Sequence, residues 1–277
     1  MFTLNCKGRL LIIREPIVMG ILNITPDSFY EGSRLQETGK IIEKVSRMIE
    51  EGATIIDIGG QSTRPGAEKI SETEEADRVQ PVIEKIKKQF PEIFISTDTY
   101  YASVAKDAVT AGADMVNDIS AGFLDPVMAE TVAQLNVPYI AMHMKGNPQT
   151  MQRMAQYENI ISEVLNYFAE RINHLEKAGI KDIIIDPGFG FAKTIEHNFT
   201  MLNQLDHLKI LQKPVLAGLS RKSMIYKTLN TTPEEALNGT TTLNTIALMK
   251  GANILRVHDV KEAMECIKLT SQLQSSP

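Results

Sequence analysis

The chain has 277 residues, 43% of them hydrophobic, with a formal net charge of −5 and a pI near 5.6. Mild acidity argues against a surface for nucleic acid or anionic membrane, and no apolar run approaches the length of a membrane span. Cys6 and Cys266 lie near opposite ends without metal-ligand spacing and read as reduced thiols, and the Leu10-Leu11-Ile12-Ile13 run, stopped by Arg14 and Glu15, is too short for a signal-peptide core, so a cytoplasmic location is expected.

Residues 1–15 place two short apolar runs on either side of Lys7-Gly8 and predict a small hairpin at the bottom of the fold. From residue 16 to 277, short apolar runs alternate with amphipathic stretches. The strand candidates are 17–22, 54–58, 93–97, 115–119, 138–142, 182–186, 214–219 and 253–257. They are continuously apolar, as parallel strands buried on both faces should be. Helical patterns follow at 36–51, 72–89, 101–111, 125–135, 157–178, 194–206, 233–250 and 260–271, and several stop at a glycine: Gly52, Gly112, Gly179, Gly251. Eight strand–helix pairs without a linker predict one α/β domain, a (β/α)8 TIM barrel. A doubly wound open sheet is the alternative, but no GxGxxG follows the first strand.

In such barrels the chemistry lies at the C-terminal strand ends. Those ends deliver, in chain order, Asn23, Asp57, Asp98, Asn117-Asp118, Met142-His143, Asp186, Ser220-Arg221-Lys222 and Arg256-Val257-His258. Asp98, Asn117 and Asp186 offer oxygen acceptors and an amide. Arg64, Lys222 and Arg256 are cations, and His258 is switchable. Such a pocket suits a ligand with an N–H-rich heterocycle at one end and phosphate at the other. Charge-assisted hydrogen bonds of roughly 1.5–3 kcal/mol each would anchor the ring. Arg256 and His258 alternate along a strand and so share a side, as an anion clamp would require. Asp57 could instead serve the turn at Gly59-Gly60, Asp118 could support Asn117 from behind, and Phe189 and Phe191 could simply pack. His143 reads as a satisfied core or supporting histidine, while His174, His197 and His207 read as solvated.

The segments NITPDSF, GGQSTRPGA, DPGFGF, SRKS and RVHDV, in this order at successive strand ends, resemble the dihydropteroate synthase family over essentially the whole chain. The resemblance implies condensation of 6-hydroxymethyl-7,8-dihydropterin diphosphate with 4-aminobenzoate, assisted by Mg²⁺, in a homodimeric enzyme of folate biosynthesis. It places the pterin on Asp98, Asn117, Met142, Asp186 and Lys222, and the diphosphate on Asn23, Arg256 and His258, with the metal at Asn23. It places 4-aminobenzoate on Ser62, Thr63, Arg64, Pro65, Phe189 or Phe191, and Ser220, beside Lys222. Asp98, Lys222, Arg256 and His258 are the expected catalytic groups. Loops 24–34 and 60–70 resemble the family's lids, although Glu31 and Ser33 depart from the family's SFSDGG pattern. A methyltetrahydrofolate-binding methyltransferase barrel should lack the STRPG, SRKS and RVH segments present here, and a silent pterin binder would not need the diphosphate set.

Overall fold

The computed structural model describes residues 1–24, 34–62 and 69–276. An antiparallel hairpin, β1 (Phe2–Cys6) and β2 (Arg9–Ile13), precedes eight parallel strands separated by helices. The strands are β3 (Ile17–Asn23), β4 (Ile55–Gly59), β5 (Phe94–Asp98), β6 (Met115–Asp118), β7 (Tyr139–Met142), β8 (Ile183–Asp186), β9 (Leu216–Ala217) and β10 (Ile254–Val257). In space they run β8-β7-β6-β5-β4-β3-β10-β9, and a parallel bridge between Ile185 and Val215 brings the two ends together. The result is the expected nearly closed (β/α)8 barrel. No helix among the described residues is long and apolar enough to cross a membrane.

The helices are α1 (Arg34–Glu50), α2 (Glu72–Gln89), α3 (Ala102–Ala111), α4 (Met128–Leu135), α5 (Ile160–Ala178), α6 (Ile195–Asn203), α7 (Ser223–Tyr226), α8 (Leu237–Met249) and α9 (Val260–Ser275). Their ends follow local chemistry. Ser71 caps α2 by accepting from the Glu74 amide, with acids in the first turn and Lys87 and Lys88 in the last, complementing the helix dipole. The four predicted glycine stops all have left-handed backbone, with φ from 97° to 124°.

The sequence reading differs from the structure in three places. Strand β9 covers only Leu216–Ala217, because Pro214 has no N–H for the ladder; its carbonyl accepts from the Ile185 amide. The four-residue helix α7 was not anticipated, being too short for a periodic signal. The helix predicted over 194–206 ends at Asn203 and gives way to a 3-10 segment at Leu205–Leu211.

The barrel interior has an apolar floor and a polar ceiling. The hairpin turns Leu4, Cys6, Leu11 and Ile13 onto Met19, Ile55, Met115, Ile140, Ile184, Leu216 and Ile254, closing the lower end. Each aliphatic side chain buried there contributes roughly 1.5–3 kcal/mol. Strand side chains repeat with period two. Two residues beyond this floor the same interior faces therefore present Asp57, Asn117, Met142, Asp186 and Arg256. The floor thus fixes which residues reach the upper mouth. A slip of one residue in any strand would turn its polar group into the apolar layer beneath the helices.

Candidate active site

Arg256 organises the site. From β10 its Nε donates to Asp57 Oδ2 on β4 and its Nη2 to Asp98 Oδ2 on β5, each at 2.6 Å. Asn117 Nδ2, on β6, donates to the same Asp57 oxygen at 3.0 Å. Asp57 is completely buried, and its Oδ1 has no partner among the described residues. Burial opposes charge on Arg256, but Asp57 and Asp98 outweigh it and hold the guanidinium strongly charged. Asp98 is raised to about 7, chiefly by burial and further by Asp57, Asp118 and Asp186, against the opposing pull of Arg256. The acidic pocket and basic rim expected from the sequence are therefore joined through one guanidinium rather than set apart. Asp57 is the buried anchor of that join, not merely a turn support.

The second half of the site comes from β8 and β9. Asp186 Oδ1 accepts from the Gly188 amide at 2.7 Å, which starts the DPGFGF turn. Burial raises the Asp186 carboxyl, with Lys222 the main opposing influence. Lys222 donates to the Phe189 carbonyl, and its Nζ lies 5.0 Å from the centre of the Phe191 ring. Burial lowers its ammonium to about 8, partly offset by Asp186. Gly218 leaves room for this approach, since a Cβ there would stand 3.7 Å from Lys222 Nζ and 3.9 Å from Asp186 Oδ2.

The DPGFGF loop corrects one expectation. Gly188 and Gly190 have φ of 70° and 82°, and this double left-handed turn sends the Phe189 ring into the core, fully buried, while Phe191 stays half-buried beside Lys222. Phe189 therefore contributes its carbonyl to the site and not its ring. Gly188 also passes so close to β7 that a Cβ would sit 2.1 Å from the His143 carbonyl oxygen.

Two further expectations change. The buried Ser220 hydroxyl lies 2.9 Å from His258 Nδ1 and accepts from the His258 amide at 3.2 Å. Its hydroxyl thereby positions that imidazole. His258 itself is neutral near pH 7, because burial, then Arg256, lowers it to about 4. It meets the site as a neutral ring rather than a cation.

The other predicted residues are distributed as follows. Met142 is buried at the end of β7. Asn23 ends β3 with an exposed side chain, and Ser62 is exposed after β4. Thr63, Arg64 and Pro65, together with Glu31 and Ser33, lie outside the described residues. Asp118 serves the loop after β6 rather than Asn117, accepting from Tyr139 Oη, from the amide and hydroxyl of Ser120, and from the Gly122 amide, while the Asn117 side chain bonds Asp57. His197 is not merely solvated: its Nδ1 accepts from the Thr194 amide in the capping box that starts α6.

The sequence reading missed two contacts. Arg221, with φ 55°, makes a bidentate pair with Asp259 at 2.9 and 2.7 Å, tying the β9 loop to the β10 loop. Lys193 is almost wholly buried against His143. Both signals were present, a charged neighbour of Lys222 and a lysine lodged between Ala192 and the capping Thr194.

Comparison with known proteins is consistent with this site. The pterin binding enzyme family matches residues 19–258. The dihydropteroate synthase of Escherichia coli K12 is 43% identical over 275 residues, 99% of this chain and 97% of that relative. Among solved structures, Yersinia pestis dihydropteroate synthase with a sulfonamide drug complex superposes with TM-score 0.92 at 40% identity, covering 99% of this chain and 100% of that one. The Xanthomonas albilineans dihydropteroate synthase with 4-aminobenzoic acid gives 0.91 at 40% identity, covering 99% of each chain. The chain belongs to the pterin-binding enzymes and, within them, to the dihydropteroate synthases.

Proposed function

We infer that the chain joins 6-hydroxymethyl-7,8-dihydropterin diphosphate to 4-aminobenzoate, releasing 7,8-dihydropteroate and diphosphate in folate biosynthesis. The observation that carries this reading is the single guanidinium of Arg256 bridging Asp57 and Asp98, with Asn117, Asp186 and Lys222 around the same mouth. Carboxyl groups and an amide there suit the N–H edge of a pterin, and the Arg256–His258 edge suits its diphosphate. The 40%-identical Xanthomonas enzyme was solved with 4-aminobenzoic acid.

In this assignment Asp98, Asn117 and Asp186 hold the pterin, Met142 walls it, and Lys222 reads its acceptors. Arg256, His258 and Asn23 hold the diphosphate. Phe191, Ser62 and the segment Thr63-Arg64-Pro65 hold 4-aminobenzoate. The C–O bond at the exocyclic methylene breaks, and its electron pair leaves on the diphosphate. The cation left behind is delocalised into the dihydropterin ring, where Asp98 and Asp186 stabilise it. The aniline nitrogen then attacks the methylene carbon and its surplus proton passes to diphosphate or water, so no protein nucleophile is required. Fixed donors such as Arg256 and His258 act where charge develops, at roughly 2.7–4 kcal/mol for one well-placed group. Asn23 fits Mg²⁺, since its exposed amide oxygen is a hard donor of the kind this ion takes when substrate phosphates complete its shell. Held there, the ion would neutralise charge on the leaving diphosphate.

We further assign the protein to the cytoplasm as a homodimer. Supporting a second copy, α8 and α9 leave Ile246, Met249, Leu269 and Leu273 exposed by 38%, 48%, 73% and 62%. Light scattering at the mass of a monomer would contradict that assembly. For the reaction, the purified protein is mixed with dihydropterin diphosphate, 4-aminobenzoate and Mg²⁺. Dihydropteroate and diphosphate formed in equal amounts are expected; pterin binding with neither product would leave only a silent binder.

A further inference from the structure

Lys193 closes the corner between β8 and α6 with only 4% of its surface exposed. Its Nζ reaches His143 Nδ1 at 3.0 Å, the Gly188 carbonyl at 3.0 Å and the Phe191 carbonyl at 3.1 Å. Each of these partners is neutral. Burial lowers the Lys193 ammonium to about 7, partly offset by Asp186, and burial, then Lys193, keeps the His143 ring neutral. His143 is itself fixed by the edge of Tyr167, with ring centroids 4.8 Å apart.

Burying a lysine without a carboxylate partner is costly, so its placement calls for a local reason. That reason lies in the loop it holds. In the turn from Gly188 to Ala192, side chains take up the carbonyls of Gly188, Phe189, Phe191 and Ala192. Lys193 takes those of Gly188 and Phe191, Lys222 takes that of Phe189, and Tyr157 Oη donates to that of Ala192 at 2.9 Å. Two lysines thus grip one short turn from opposite sides. One faces the mouth and the other is sealed behind it. Removing the inner one frees the Phe191 carbonyl and leaves the Gly188 carbonyl only the turn hydrogen bond from the Phe191 amide, loosening the orientation of the Phe191 ring.

We propose that Lys193 is a positioning residue for the second substrate, fixing through His143, Gly188 and Phe191 the edge of the site formed by the Phe191 ring. This rests on the assignment of that edge to 4-aminobenzoate made above. Lys193 touches no substrate in this role, and its effect should fall on one substrate more than on the other.

The test is steady-state kinetics of Lys193→Met, His143→Leu and His143→Gln beside the wild-type protein, with the Michaelis constant of each substrate measured separately. Lys193→Met should raise the 4-aminobenzoate constant about tenfold, a change corresponding to about 1.4 kcal/mol, and leave that of dihydropterin diphosphate within about twofold. His143→Leu should move the same constant in the same direction, and His143→Gln, which keeps an acceptor for the ammonium, should restore it. Both constants unchanged, or both raised equally, would overturn the proposal. If Lys193→Met does not fold, the histidine pair decides: equal 4-aminobenzoate constants for Leu and Gln would overturn it. Failure of the wild-type protein to form dihydropteroate would overturn the reaction assignment and this proposal with it. Product from the wild type without the split would sink Lys193 alone.

Discussion

Arg256 Nε and Asp57 Oδ2 meet at 2.6 Å over the intervening strand β3, joining residues 199 positions apart. The pair is buried, and Asn117 leans on the same carboxylate oxygen. Replacing one partner of such a pair leaves the other without compensation. Asp57→Ala should therefore destabilise the fold by about 3–5 kcal/mol, measured by urea unfolding, and should also depress turnover because Arg256 loses its anchor. A loss below about 1 kcal/mol, the scale of an exposed pair, would show that Asp57 does not hold the guanidinium.

His258 is aimed by Ser220 and neutral near pH 7. His258→Ala should lower kcat/KM for the diphosphate substrate by about 10²–10³-fold while a pterin lacking diphosphate still binds with near wild-type affinity by calorimetry. Equal losses for both ligands would place His258 on the ring instead. Ser220→Ala should reproduce a smaller part of the loss, since it removes only the group that orients the imidazole.

Lys222 gives the pH dependence its sign. Its ammonium is depressed to about 8 by burial, so the fraction charged falls as pH rises through that value. Turnover that needs the cation should decline above about pH 8, where an ordinary lysine near 10.4 would remain charged. A rate profile between pH 6 and 10 checks this, and a flat alkaline limb would rule out a required cation at Lys222.

Gly188 tests how closely the DPGFGF turn must approach β7. An added Cβ would fall 2.1 Å from the His143 carbonyl, and φ is 70°. Gly188→Ala should cost at least about 1–3 kcal/mol of strain and reduce activity with it. Gly39→Ala, on helix α1 with open space around its Cβ position, serves as the control and should be neutral or slightly stabilising in thermal denaturation.

The barrel was legible because parallel strands buried on both faces are continuously apolar, and because Gly52, Gly112, Gly179 and Gly251 mark where helices must stop. The strand ends were legible as well, and with them most groups at the mouth. The partnership of those groups was not. Arg256 meets Asp57 and Asp98 only after the ring closes, over separations of 199 and 158 residues that no local pattern encodes. The two phenylalanines of DPGFGF were indistinguishable until the φ values of Gly188 and Gly190 decided which ring turned inward. Ser220 and His258 were each read as ligand-facing, whereas one spends its hydroxyl on the other. Lys193 was overlooked because a buried lysine is rare, and its place between Ala192 and the capping Thr194 is only a weak signal of burial.

The hairpin at residues 2–13 seals the barrel's lower end with Leu4, Cys6, Leu11 and Ile13. The interior is consequently a blind well with traffic through its upper end alone. On the assignment made here the pterin rests on the inner residues Asp98, Asn117 and Asp186, and 4-aminobenzoate rests at the Phe191 edge above. With one end sealed, both substrates share a single entrance, and on this assignment 4-aminobenzoate bound at the rim would bar the way to the pterin beneath it.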